Sequence, residues 1–162
     1  MIDLWVEQVV GGRSEAHEWA NECIATLPGC DRAGLASSLS HHRDWLAVAV
    51  SSDEPLGVDV LTVPPDADFV ADTALVLSAA EIDWVRAHPP DERGAAFAEC
   101  WTRKEAYAKW RGTGLTSDLR ELTLTPPSDD ASVVFWTARI QDALVAIVTR
   151  GPDPPRVRVH RP

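Results

Sequence analysis

The chain has 162 residues, 45% of them hydrophobic and 25% charged, enough for one domain with a buried core. Its 25 acidic residues outnumber 15 lysines and arginines, a formal net charge of −10. That balance argues against nucleic acid as the main partner, because phosphate binding needs a basic face. No apolar run approaches the roughly 18–20 residues that cross a bilayer, and MIDLWVEQVV lacks the basic start of a secretory signal. The expected location is therefore the cytoplasm. Cys23, Cys30 and Cys100 are odd in number and widely spaced, without a CxxC pair, and read as small buried hydrophobes in a reducing compartment.

In chain order, residues 2–10 alternate as a strand with Ile2, Leu4 and Val6 on one face. Gly11 and Gly12 break it, and Ser14 is placed to cap a helix reaching about Leu27. Residues 28–36 read as a loop, Trp45 to Ser51 as a buried strand, and Gly57 to Leu61 as the next strand after Pro55. PPDAD introduces a helical stretch from Phe69 to Leu77. Ser78-Ala-Ala-Glu81 has capping-box spacing and opens a helix ending near Pro89. Asp91 begins the longest helix, stopped after Arg111 by Gly112 and Gly114. Strands are expected at 119–125, 133–139 and 143–149, and the basic tail VRVHRP is placed to add an edge strand. Strands and helices cluster rather than alternate, so the expected class is α+β, with 1–162 as a single domain.

Three short patterns carry chemistry. Trp101, Glu105 and Lys109 share a helix face at i, i+4 and i+8; taken alone, a surface Glu–Lys pair with a glycine cap explains them. Asp59 lies in the hydrophobic strand segment Gly57-Val58-Asp59-Val60, where a charge is costly unless compensated. Leu39-Ser40-His41-His42 precedes the strand at Trp45. Adjacent histidines on an extended chain face opposite ways, and alone they read as an ordinary loop.

In combination the order SH…W…GVDV…WxxKEAxxKxxGxGL resembles the 4′-phosphopantetheinyl transferase superfamily. It does so through Ser40, His41, Trp45, Gly57, Asp59, Trp101, Lys104, Glu105, Ala106, Lys109, Gly112, Gly114 and Leu115. The resemblance spans about 38–150 and implies an antiparallel sheet packed against the motif helix, in a pseudo-two-lobed fold with a reduced first lobe at about 1–55. It implies Mg²⁺ ligands at Asp59 and Glu105, with coenzyme A as co-substrate, its diphosphate held by the metal. An apo acyl or peptidyl carrier-protein serine then attacks the phosphorus bearing the pantetheine arm, and 3′,5′-ADP leaves. Glu105 would assist removal of the serine proton, and Lys109 would offset charge on the diphosphate and leaving group. Ser40 and His41 match positions that contact the nucleotide end, and Arg13 is a further candidate for its 3′-phosphate. The carriers of polyketide, peptide or fatty-acid synthesis fit this expectation.

Three features depart from the family pattern. Leu61 occupies the position two after Asp59 where larger members carry another acid, although the small holo-acyl-carrier-protein synthases are apolar there. The short first lobe implies that a second copy of the chain completes the cleft, that the nucleotide is held loosely, or that the chain no longer performs the usual reaction. The acidic balance opposes docking of an acidic carrier; Arg103, Arg111 and Arg120 are the candidate local positive charges to offset it, with apolar contacts as the alternative. The rival expectation is a divergent, non-catalytic module that binds a carrier or stabilises a partner.

Overall fold

The computed structural model describes residues 1–8, 13–27, 34–64, 76–114, 117–125 and 128–160. Its elements are β1 (Ile2–Gln8), α1 (Arg13–Ala25), β2 (Ala36–His42), β3 (Trp45–Ser51), β4 (Leu56–Thr62), α2 (Ala79–Ala87), α3 (Arg93–Arg111), β5 (Val133–Ile140), β6 (Ala143–Arg150) and β7 (Val157–His160). The expected helix from Phe69 and the tail residues 161 and 162 fall wholly or largely outside the described residues. Among those residues, no helix is long and apolar enough to cross a membrane.

The class is α+β, with two sheets in place of the single one anticipated. One runs β2-β3-β1-β7 and the other β4-β6-β5. All pairings are antiparallel except β1–β7, where the basic tail adds a parallel edge strand. Alternation along each strand decides the layers. Ile2, Leu4 and Val6 meet Val58, Val60, Val145 and Ile147 in a core shared by both sheets. Trp5, Val48 and Val50, on the opposite face, pack with Ala20 and Cys23 of α1.

The other face of β4 and β6 meets α3. Gly57 explains how closely: a Cβ there would lie 2.0 Å from the Ala106 carbonyl oxygen, so only glycine lets α3 rest on the strand backbone. The α3 helix ends at Gly112, whose φ of 68° is left-handed and whose N–H returns to Ala108 and Lys109.

Two readings are corrected. Leu39-Ser40-His41-His42 is not a loop; it belongs to β2, held against β3 with Ser40 opposite Ala47. The expected strand at 119–125 is a 3-10 turn at Ser117–Arg120 followed by irregular chain. Side chains take the backbone groups a ladder would have used. Lys104 donates to the Leu119 and Leu122 carbonyls, Arg103 donates to that of Leu124, and Glu81 accepts from the Leu124 N–H. Propensity is outweighed by these specific, largely buried bonds. Cys23 and Cys100 are buried free thiols, as read; Cys30 lies outside the described residues.

Candidate active site

A cavity of about 520 Å³ crosses the end of β2, from α1 to the β4–α3 junction. Ser40, His41, Asp59, Glu105 and Lys109 all line it, although as many as 69 positions separate them in the chain (109 − 40). The fold brings them together because Gly57 seats α3 on β4. Asp59, two residues on, therefore shares the helix-facing side of the strand.

Asp59 is 6% exposed. Its Oδ1 accepts from Ser40 Oγ at 2.6 Å and from Lys109 Nζ at 2.8 Å, and Lys109 also donates to the Val58 carbonyl at 3.0 Å. Lys109 therefore pairs with the strand aspartate across the site, where the helix-surface reading paired it with Glu105. Ser40 also accepts from the Val60 N–H at 3.3 Å, and Ser38 accepts from the Val58 N–H at 3.0 Å. Two serine hydroxyls of β2 thus serve the edge of β4 that β6 leaves uncovered, and one of them orients Asp59.

The electrostatics are unbalanced toward negative charge. Burial pushes the Asp59 carboxyl above its ordinary range, and Lys109 and Ser40 pull it back only in part. Glu105, half-buried, is also pushed up, by desolvation first and by the charge of Asp59 second, with Lys109 offsetting. Two desolvated carboxylates that repel each other favour a further cation between or beside them. His42 is shifted the other way, downward, by burial and the neighbouring Arg43.

The donor chemistry selects among cations. Among the described residues no group of three histidine, cysteine or acidic side chains is placed to hold a metal, so a closed zinc site does not match. Two carboxylates facing an open cavity suit magnesium, which binds through one or two carboxylates and completes its shell with substrate phosphate and water.

Leu61 lines the same cavity, as its i+2 relation to Asp59 required, and packs with Leu77, Phe97 and Leu144. Of the arginines considered for docking, Arg103 is excluded. It is 8% exposed, paired with Glu99 at 2.7 Å and bonded to the Leu124 carbonyl. Arg111 and Arg120 are exposed; the Arg13 side chain lies outside the description. His17, His42 and Trp101 also line the cavity without having been assigned a role. Trp101 and His42 stood inside quoted motifs. His17 had no sequence signal, being an exposed position on a distant helix.

A model of the 4′-phosphopantetheinyl transferase superfamily matches residues 55–150, which hold Asp59, Glu105 and Lys109. The chain belongs to that superfamily. Among similar proteins, the 4′-phosphopantetheinyl transferase psf-1 of Bacillus pumilus is 30% identical over 126 residues, 71% of this chain and 53% of its own length. The 4′-phosphopantetheinyl transferase AcpT of Salmonella typhimurium is 35% identical over 80 residues, 49% of this chain and 42% of the relative. HetI of Nostoc, also named a 4′-phosphopantetheinyl transferase, is 30% identical over 95 residues, 58% and 40% respectively. The chain thus spans about half or less of the length of these superfamily relatives.

Proposed function

We propose that the chain transfers the 4′-phosphopantetheine arm of coenzyme A to a serine of an acyl or peptidyl carrier protein, releasing 3′,5′-ADP. The observation that carries this reading is the convergence of Asp59, Glu105 and Lys109 on one cavity within the family-matched segment. Asp59 and Glu105 are the residues that would hold Mg²⁺. The ion would supply charge neutralisation at the diphosphate and its leaving group. The remaining work falls to the chain. Ser40 fixes the Asp59 carboxylate by hydrogen bond. Glu105, only half-buried, is the better poised of the two to accept the serine proton, because Asp59 is 6% exposed and already accepts from Ser40 and Lys109. Lys109 reaches Asp59 in this structure and, one turn beyond Glu105, is placed to exchange that partner for a phosphate oxygen. Ser40 and His41, which line the same cavity, would contact the nucleotide end of the coenzyme.

The rival, a non-catalytic carrier-binding module, draws on Leu61, which packs into the core where larger members carry an acid. It gives no reason for two desolvated carboxylates and a lysine to share a cavity. Incubation with coenzyme A, Mg²⁺ and apo carrier proteins, with 3′,5′-ADP followed chromatographically, separates the readings. Stoichiometric, Mg²⁺-dependent release supports transfer. Carrier binding without release supports the rival.

A further inference from the structure

A second cavity, of about 320 Å³, lies between α1 and the β1–β7 edge of the four-stranded sheet and shares no lining residue with the first. Its size is at the small end of ligand sites, which run from about 300 to 1,000 Å³. Its walls among the described residues are the rings of Trp5, Trp19 and His160 and the carboxylates of Glu7 and Glu22, with no lysine or arginine among them.

The aromatic walls are held in place from several sides. Trp5, 7% exposed, stacks on His160 with centroids 4.3 Å apart and planes 10° from parallel. His160 Nε2 in turn lies 2.7 Å from Asp3 Oδ1, an oxygen that Arg158 also approaches at 3.5 Å, so the ring is held at its edge. Trp19 Nε1 donates to Glu7 Oε2 at 2.6 Å, which fixes an indole and a carboxylate together. The local potential is negative: after burial, the charges of Glu7 and Glu22 are what push the Cys23 thiol up to about 11. Indole rings, with their negative quadrupole, beside two carboxylates suit one class of ligand, a poorly hydrated organic cation. A hard metal ion is poorly served, since it wants several oxygen ligands and indoles supply none.

We propose that this cavity is a binding site for a small organic monocation of the quaternary or tertiary ammonium type, with Trp5 and Trp19 contacting its methyl groups and Glu7 and Glu22 balancing its charge. Nothing in the transfer reaction calls for such a ligand, so the site stands apart from the proposed activity.

The probe is choline chloride, titrated against the full chain by saturation-transfer nuclear magnetic resonance, alongside its neutral isostere 3,3-dimethyl-1-butanol. Saturable choline binding is expected, with the isostere weaker by about tenfold or more, because only the cation gains from the ring faces and carboxylates. Trp19→Leu and Glu7→Gln should each weaken choline by roughly fivefold or more. Glu22→Gln, at an exposed position that leaves the core untouched, should weaken it by about twofold. Equal binding of choline and the isostere would show a merely apolar cavity. That result overturns the proposal, as does choline binding indifferent to all three substitutions or no saturation at all.

Discussion

Two lysines on α3 stand five residues apart, and about 500° of helical rotation sends them to different sides of the helix. Lys104 is fully buried and saturated: it pairs with Glu81 at 2.8 Å and donates to the Leu119 and Leu122 carbonyls. Glu81 is equally buried and equally committed, accepting from the Ser78 and Leu124 N–H groups as well. Lys109 keeps 31% of its side chain exposed, opens onto a cavity, and faces carboxyls whose charge it does not fully offset. Satisfaction distinguishes the two. A charge cluster with every partner present locks α2, α3 and the segment after them into one geometry. A cluster left short of positive charge has capacity for a ligand.

The contrast is broken most severely at Asp59. Asp59→Asn should lower kcat/KM for transfer by about a thousandfold or more while the melting temperature stays level or rises, because a desolvated carboxylate is removed. A matched fall in stability, read by thermal denaturation, would make Asp59 structural after all. Lys104→Met should do the opposite, costing about 3–5 kcal/mol by urea titration, since Glu81 and two carbonyls lose their buried cation. Lys109→Ala should lower kcat by roughly a hundredfold with a smaller effect on coenzyme binding, and Lys109→Arg should recover part of it. Steady-state kinetics on a responsive carrier would show this, and a kcat within twofold of wild type would remove Lys109 from the reaction. The mildest change is Ser40→Ala, which leaves the Asp59 carboxylate present but unoriented. The Mg²⁺ concentration for half-maximal activity should rise about tenfold, with little loss at saturating Mg²⁺.

The grouping of the candidate-site residues was legible in the sequence where several patterns agreed. Helical periodicity placed Glu105 and Lys109 together, strand alternation put Asp59 and Leu61 on one side, and the capping box at Ser78 and Glu81 formed as spaced. What remained hidden depended on long-range side-chain contacts. Glu81 showed itself as a helix cap, yet nothing local announced its pairing with Lys104, 23 positions away (104 − 81). The apolar alternation from Leu119 to Leu124 resembled a strand because periodicity cannot register that lysine, arginine and glutamate side chains will claim the backbone. Ser40 carried no local sign that its hydroxyl would bridge Asp59 and the Val60 N–H, since that contact exists only once β2 lies along β4.

Under the proposed function, the under-neutralised cluster is a transfer site and the saturated one a structural clamp. Intact-protein mass spectrometry of apo carrier proteins, incubated with the chain, coenzyme A and Mg²⁺, tests it most directly. The expected result is a mass gain of one phosphopantetheine on the carrier, abolished by chelating the metal and by Asp59→Asn. A carrier that binds the chain yet gains no mass, across acyl and peptidyl types and with Mg²⁺ present, would contradict it.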